Sequence, residues 1–176
     1  MFSRLAAIAV FALAAAAAAQ AKPKPDAGTA AVEFVTVEVL DVFESGEGWA
    51  VLLKPPHEDV VVPIFVGQAE GLAIKLRLGR QKPPRPLTHD LLQSTIDALG
   101  GKVVRVEVDD LRSDVYLGRV HLLQGTRALE LDARPSDSIA LALRLQADIF
   151  VAEPVLVQNA VRDMAKINQQ IDDFKK

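Results

Sequence analysis

The 176-residue chain contains no cysteine. Disulfides, thiolate nucleophiles and Cys-ligated zinc are therefore excluded, and the apolar core has to suffice without cross-links. No His-Glu-x-x-His is present, so a zinc-protease reading fails. There is no P-loop and no Gly-x-Gly-x-x-Gly; Gly67-Gln68-Ala69-Glu70-Gly71 matches neither, and no nucleotide cofactor is indicated. An excess of positive charge is also missing: 20 Lys and Arg face 23 Asp and Glu. A general nucleic-acid coat would be basic, so any such role has to rest on a local patch.

Half of the residues are apolar, enough for a real core. One long apolar stretch stands apart, at the N-terminus. Arg4 is followed by an uncharged run from Leu5 to Ala19, then by Ala19-Gln20-Ala21 and the polar, Pro-rich Lys22-Pro23-Lys24-Pro25-Asp26. A cation, an apolar run and a small-x-small site, in that order, make a cleavable signal peptide over residues 1–21. The run falls short of the roughly twenty residues a spanning helix needs. The expectation is an exported protein, periplasmic or secreted, with no membrane span in the mature chain. Loss of Arg4 takes the formal net charge from −3 to −4. Residues 22–32 read as a flexible leader, 33–156 as one domain and 157–176 as a polar C-terminal helix.

Within the domain, Val35, Val37 and Val39 alternate with Thr36 and Glu38, the period of a strand. A turn at Glu44–Gly48, a strand from Trp49 to Leu53 and a wholly apolar strand from Val60 to Val66 follow. From Gln68 to Leu78 the spacing becomes helical. Thr88 is a good N-cap for a second helix running to Leu99, closed by Gly100-Gly101. The second half repeats the plan. Strands cover Val104–Val108, Tyr116–Leu123 (after a turn at Ser113-Asp114) and Ala128–Asp132. A helix runs from Pro135 to Leu145, then a short strand at Ile149–Val151, and a helical tail from Val155 to Phe174. Val37–Val42 mirrors Val106–Leu111, and Glu70–Leu76 mirrors Asp137–Leu143, with an acid at the same helical position. These parallels read as a duplicated unit of three strands and a helix, although any two strand–helix units share some such pattern.

Two long stretches identify a family. They are Lys82-Pro83-Pro84-Arg85-Pro86-Leu87-Thr88-His89-Asp90-Leu91 and Asp132-Ala133-Arg134-Pro135-Ser136-Asp137-Ser138-Ile139-Ala140-Leu141-Ala142. With Pro63-Ile64-Phe65-Val66-Gly67 and Glu70 before them and Ile149-Phe150-Val151-Ala152 after, the chain resembles the bifunctional nuclease family from about Val35 to Leu156. The resemblance implies a compact domain that forms homo-oligomers, with cleavage of DNA and RNA in some members. The expected fold is α+β: a mixed, largely antiparallel sheet from two β-β-β-α repeats with packed helices, plus a C-terminal helix.

Residue types suited to phosphodiester chemistry gather in these stretches. Glu70, Asp132 and Asp137 are the candidate ligands for a divalent metal such as Mg²⁺, a hard cation held by carboxylates and water. Acids in a first helical turn equally favour the helix dipole, so both readings stand. His89 is the candidate general base, because imidazole titrates near neutrality; an exposed His without a task is the alternative. Arg134 either grips phosphate through its planar fork or pairs with its acidic neighbours. Asp137 is also counted with His89 and Arg134 as catalytic. Arg77, Arg80, Lys82 and Arg85 form the dense basic run, and Arg80, Lys82 and Arg85 are the candidate nucleic-acid contacts. No aromatic interleaves them, so base stacking is not indicated. His57 and His121 sit in no motif. The function expected is an exported, metal-dependent nuclease, with a non-catalytic oligomeric binding module of the cell envelope as the alternative. Amino-terminal sequencing of the exported protein is expected to begin at Lys22; a start at Met1 would overturn the cleavage reading.

Overall fold

The computed structural model describes residues 32–46, 48–112, 115–161, 165 and 169. The expected signal peptide, nearly all of the expected leader, the expected turn at Ser113-Asp114 and most of the expected helical tail lie outside the described residues. The elements are β1 (Phe34–Ser45), β2 (Gly48–Lys54), β3 (Val62–Val66), α1 (Gln68–Leu78), α2 (Thr88–Ala98), β4 (Gly101–Arg112), β5 (Val115–Gln124), β6 (Arg127–Ala133), α3 (Pro135–Leu145), β7 (Asp148–Ala152) and α4 (Glu153–Asn159). No helix among the described residues is long and apolar enough to cross a membrane.

The seven strands form one sheet in the order β3-β2-β1-β7-β4-β5-β6. Each half is an antiparallel meander, β1-β2-β3 and β4-β5-β6. β7 lies between the halves, antiparallel to β1 and parallel to β4. β1 and β4 therefore run in opposite directions on either side of β7, which relates the halves by an approximate twofold axis through β7. The fold is the expected α+β arrangement of two β-β-β-α repeats. A local detail supports the duplication. The register slips between Val39 and Asp41 in the first hairpin and between Val108 and Asp110 in the second. At both bulges the aspartate accepts from the next amide: Val42 N to Asp41 at 2.7 Å, Leu111 N to Asp110 at 2.8 Å. A bulge leaves an amide without a ladder partner, and a short acid is well placed to take it.

α3 is buried almost all round, with Ile139, Ala140, Leu141 and Ala142 in the main core beside Val106, Val108, Ile74 and Val151. A helix apolar on every side belongs in the interior, and α3 packs against α1, α2 and the sheet. This central helix carries Asp137 and Arg144, two turns apart. α1 approaches β2 closely at Gly71, where an added Cβ would lie 2.1 Å from the Trp49 ring. Trp49 is fixed there by its indole N–H, which donates to Gln68 Oε1 at 2.9 Å.

Several boundaries differ from the sequence reading; β4, for one, runs from Gly101 to Arg112 rather than from Val104 to Val108. Thr88 is the first residue of α2 rather than its cap: Leu87 precedes the helix, and its N–H donates to Asp90 Oδ2 at 2.8 Å. β3 starts at Val62, because Val61 pairs instead with Val161 as an isolated bridge. That bridge also explains why the helix beginning at Glu153 stops at Asn159: Ala160 is extended so that Val161 can reach Val61. Gly71→Ala is expected to lose about 1–3 kcal/mol of stability through overpacking against Trp49, despite the better helix propensity of alanine. The denaturant midpoint should fall at unchanged m-value; an unchanged or higher midpoint would show that Trp49 can yield.

Candidate active site

The turn from β6 into α3 sets the position of Arg134. Its backbone is extended, and its carbonyl accepts from Asp137 N and Ser138 N, each at 3.0 Å. Pro135 at the first helical position lacks the N–H that would go unused there. The guanidinium thus leaves the helix start and folds back over the first turn. Its Nε donates to Asp137 Oδ2 at 2.6 Å, and its Nη2 donates to Asp137 Oδ1 at 3.0 Å and to Glu70 Oε1 at 2.7 Å. Glu70 stands in the first turn of α1 and Asp137 in the first turn of α3. The repeat-related acids do approach each other, and Arg134 lies between them. Gly67 makes room for this: a Cβ there would come within 2.6 Å of Glu70 Oε2.

His89 closes the cluster from α2. Its ring is buried, and Nε2 lies 3.0 Å from Asp137 Oδ1. Burial alone would raise the Asp137 carboxyl, but hydrogen bonds from Arg134 and His89, and their charges, hold it below its ordinary value. An ionised carboxylate only accepts, so Nε2 carries the proton and Nδ1 is the basic nitrogen. Hydrogen bonds to Asp137 and then Glu70 raise Arg134. Glu70, His89, Arg134 and Asp137 line one cleft of about 410 Å³, walled by Ala69, Leu72, Pro86 and Leu87.

Asp132 is not brought to this cleft. It pairs across the sheet with Arg119, two residues from the Glu130–His121 pair. Side chains alternate along a strand, so Asp132 shares the face of Glu130. The expected Glu70–Asp132–Asp137 metal set is therefore not assembled, and Arg134 occupies the space between the other two acids. No three His, Asp or Glu side chains group as a metal site among the described residues. With Arg134 bonded to both Glu70 and Asp137, the acids do not fit a divalent cation as arranged. Of the basic run, Arg80 and Lys82 line a cleft beside the C-termini of α1 and α3, together with Arg77. Arg85 is exposed and lines neither that cleft nor the one holding His89.

A buried charged residue of α3 escaped sequence reasoning. Arg144 is 4% exposed; its Nε donates to Asp90 Oδ1 at 2.7 Å and its Nη1 to Ala140 O at 2.8 Å. Asp90 also receives Leu87 N–H. Burial opposes its ionisation, but these bonds from Leu87 and Arg144 leave it below its ordinary value. α3 thus grips consecutive residues of α2, His89 through Asp137 and Asp90 through Arg144. The signal was available in the repeat: Arg77 follows Glu70 by the interval at which Arg144 follows Asp137. His121 also has a partner, with Nε2 2.8 Å from buried Glu107 Oε2, though not aligned for a hydrogen bond.

The lowered Asp137 value has a definite consequence for stability. A carboxylate depressed by folding contributes stability above its unfolded value, near pH 4, and loses it as pH falls through the folded value. Asp137→Asn is expected to cost about 1–2 kcal/mol at pH 7, moderated by the exposure of Arg134. The difference from wild type should shrink below about pH 4. A difference independent of pH in denaturation from pH 7 to 2 would contradict the assignment.

Comparison with known proteins matches the chain to one family. The bifunctional nuclease domain matches residues 51–164, which includes α1, α2 and α3 with all four cleft residues. A Mycobacterium tuberculosis protein named only as uncharacterized is 41% identical over 107 residues, covering 61% of this chain and 63% of that protein. Bifunctional nuclease 1 of Oryza sativa subsp. indica is 25% identical over 128 residues, 70% of this chain and 39% of the rice protein. Bifunctional nuclease 2 of Oryza sativa subsp. japonica is 22% identical over 125 residues, 69% and 38% respectively. The matched stretch is under two thirds of the length of each of these relatives. The chain belongs to the bifunctional nuclease domain family.

Proposed function

We propose that this chain hydrolyses phosphodiester bonds of nucleic acid in the cleft formed by Glu70, His89, Arg134 and Asp137. The observation that carries the reading is the pairing of a buried histidine with a carboxylate that is itself held by an arginine. Asp137 orients the ring, and Nδ1 takes the proton from an attacking water as the new P–O bond forms. The bond to the departing sugar oxygen breaks, and that oxygen takes a proton from solvent water or from the imidazolium just formed, which returns His89 to its starting state. Arg134 uses Nε and Nη2 on the two acids, which leaves Nη1 for a phosphate oxygen. Family membership supports the class of reaction, and the rice relatives carry the name nuclease.

A non-catalytic binding module is the second reading, and one observation favours it. Arg134 already neutralises both acids, so the cluster also works as a strut between α1 and α3. Against it, Arg134 is 67% exposed at the cleft rather than buried in its ion pair. We place the activity outside the cytoplasm on the strength of the N-terminal pattern.

Plasmid DNA and single-stranded RNA, incubated with pure protein in Mg²⁺, Mn²⁺ or EDTA, test the reading. Cutting is expected, with a loss of about 10²-fold or more in His89→Ala. Asp137→Ala should lose comparably. Nucleic acid that stays intact through long incubation in every condition would sink the nuclease reading, and cutting unchanged in both variants would move it to another site.

A further inference from the structure

The strongest feature outside the cluster lies where α1 and α3 end side by side. Both helices close with the same turn. Gln81 N–H reaches back to Leu76 O at 2.8 Å, and Ala147 N–H to Ala142 O at 3.1 Å. Such a turn places one residue in the left-handed region, where glycine is usual because a Cβ costs conformational energy. Here those residues are Arg80 (φ 53°) and Gln146 (φ 55°). Gly79 sits one position too early to relieve the strain, at φ −75°. Both strained side chains line the same cleft, of about 450 Å³, with Arg77 and Lys82. Strain kept in two places around one cleft is an observation that asks for a function.

The electrostatics of the cleft are unusual for a pair of helix C-termini, which normally repel anions. Arg77 cancels much of this at α3: its Nε donates to Leu143 O at 3.0 Å and its Nη2 to Arg144 O at 3.2 Å. Three cations and no acid line this cleft. It shares Arg77, Gln81 and Lys82 with a second cleft of about 290 Å³, whose sole acid, Asp90, is paired to Arg144. The second cleft shares Pro86 and Leu87 with the one that holds His89 and Arg134. The three depressions are contiguous, positive at one end and carrying the His89–Asp137 pair at the other.

We propose that this track binds a single-stranded polynucleotide by its backbone, with Arg80 and Lys82 holding phosphates that flank the one placed at His89. The inference rests on the nuclease reading and names its substrate class. Arg77, Arg80 and Lys82 are exposed along clefts walled by Leu76, Pro83, Pro86, Leu87 and Leu143, a winding path that a flexible strand can follow from one depression to the next more readily than a stiff duplex. No aromatic lines any of the three clefts, so bases are not stacked. Binding is sequence-tolerant and salt-sensitive.

The test is fluorescence anisotropy with the full chain. The probes are a labelled DNA single strand of about 12 nucleotides and the same strand annealed to its complement, with EDTA present and strand integrity checked on a gel. The single strand is expected to bind more tightly than the duplex. Arg80→Gly and Lys82→Ala should each weaken it roughly tenfold at low salt and reduce the slope of log K against log salt by about 1. Arg80→Gly should at the same time raise the melting temperature, because it relieves the left-handed residue; misfolding then cannot account for lost binding. Unchanged binding in both variants, equal or tighter binding of duplex, or no binding by wild type would each overturn the track. Wild type that binds as expected but never cuts would leave the track standing and remove the nuclease reading alone. Cutting with binding unaffected by either variant would do the reverse.

Discussion

The fork of Arg134 is the contact on which the rest of the site depends. Without a cation between them, Glu70 and Asp137 would face each other as two partly buried acids with nothing to offset their like charge. With Arg134 in place, Asp137 stays ionised and α1 is joined to α3. Arg134 is largely exposed, so this bridge is no major source of global stability. Its effect is local and chemical. It keeps Asp137 an acceptor, which fixes the proton of His89 on Nε2 and leaves Nδ1 basic.

The site also depends on a broken symmetry. The two halves match in their meanders, their bulge aspartates Asp41 and Asp110, their helix-start acids Glu70 and Asp137, and their arginines Arg77 and Arg144. After α1 the chain inserts α2, whereas after α3 it makes β7. α2 brings the one histidine of the cleft. It also supplies Asp90 to Arg144, so that Arg144 is buried. Arg77 has no equivalent cover; it reaches to the carbonyl end of α3 and stays exposed. One repeated pattern thus yields a structural arginine on one side and a cleft-lining arginine on the other. His89 is held through Asp137 and, via its neighbour, through Arg144.

The opposite face of the sheet carries a different use of charge. Glu107 is buried beside Arg105 and His121, with Asp109, Arg119 and Glu130 adjoining. Its residues come from β4, β5 and β6, at positions where the apolar alternation points the other way. Asp132 belongs to this face by register, which is why an acid only two residues from Arg134 takes no part in the cleft.

The sequence by itself determined the elements, their duplication and the family. Period-two and helical spacing are local properties, and long motifs survive without any knowledge of packing. It also singled out Glu70, His89, Arg134 and Asp137, since these lie in the motifs. It could not say that Arg134 would stand between Glu70 and Asp137, because that contact joins residues 64 positions apart. Nor could it separate Asp132 from Asp137, which differ only in the direction a strand or a helix start gives them. Arg144 lay unnoticed in an apolar helix, since its partner Asp90 is 54 residues away. The strain at Arg80 and Gln146 was equally invisible, because a left-handed φ belongs to the turn and not to the residue's name. Local sequence sets what each segment becomes; only the packing of α1, α2 and α3 on one face of the sheet decides which charges meet.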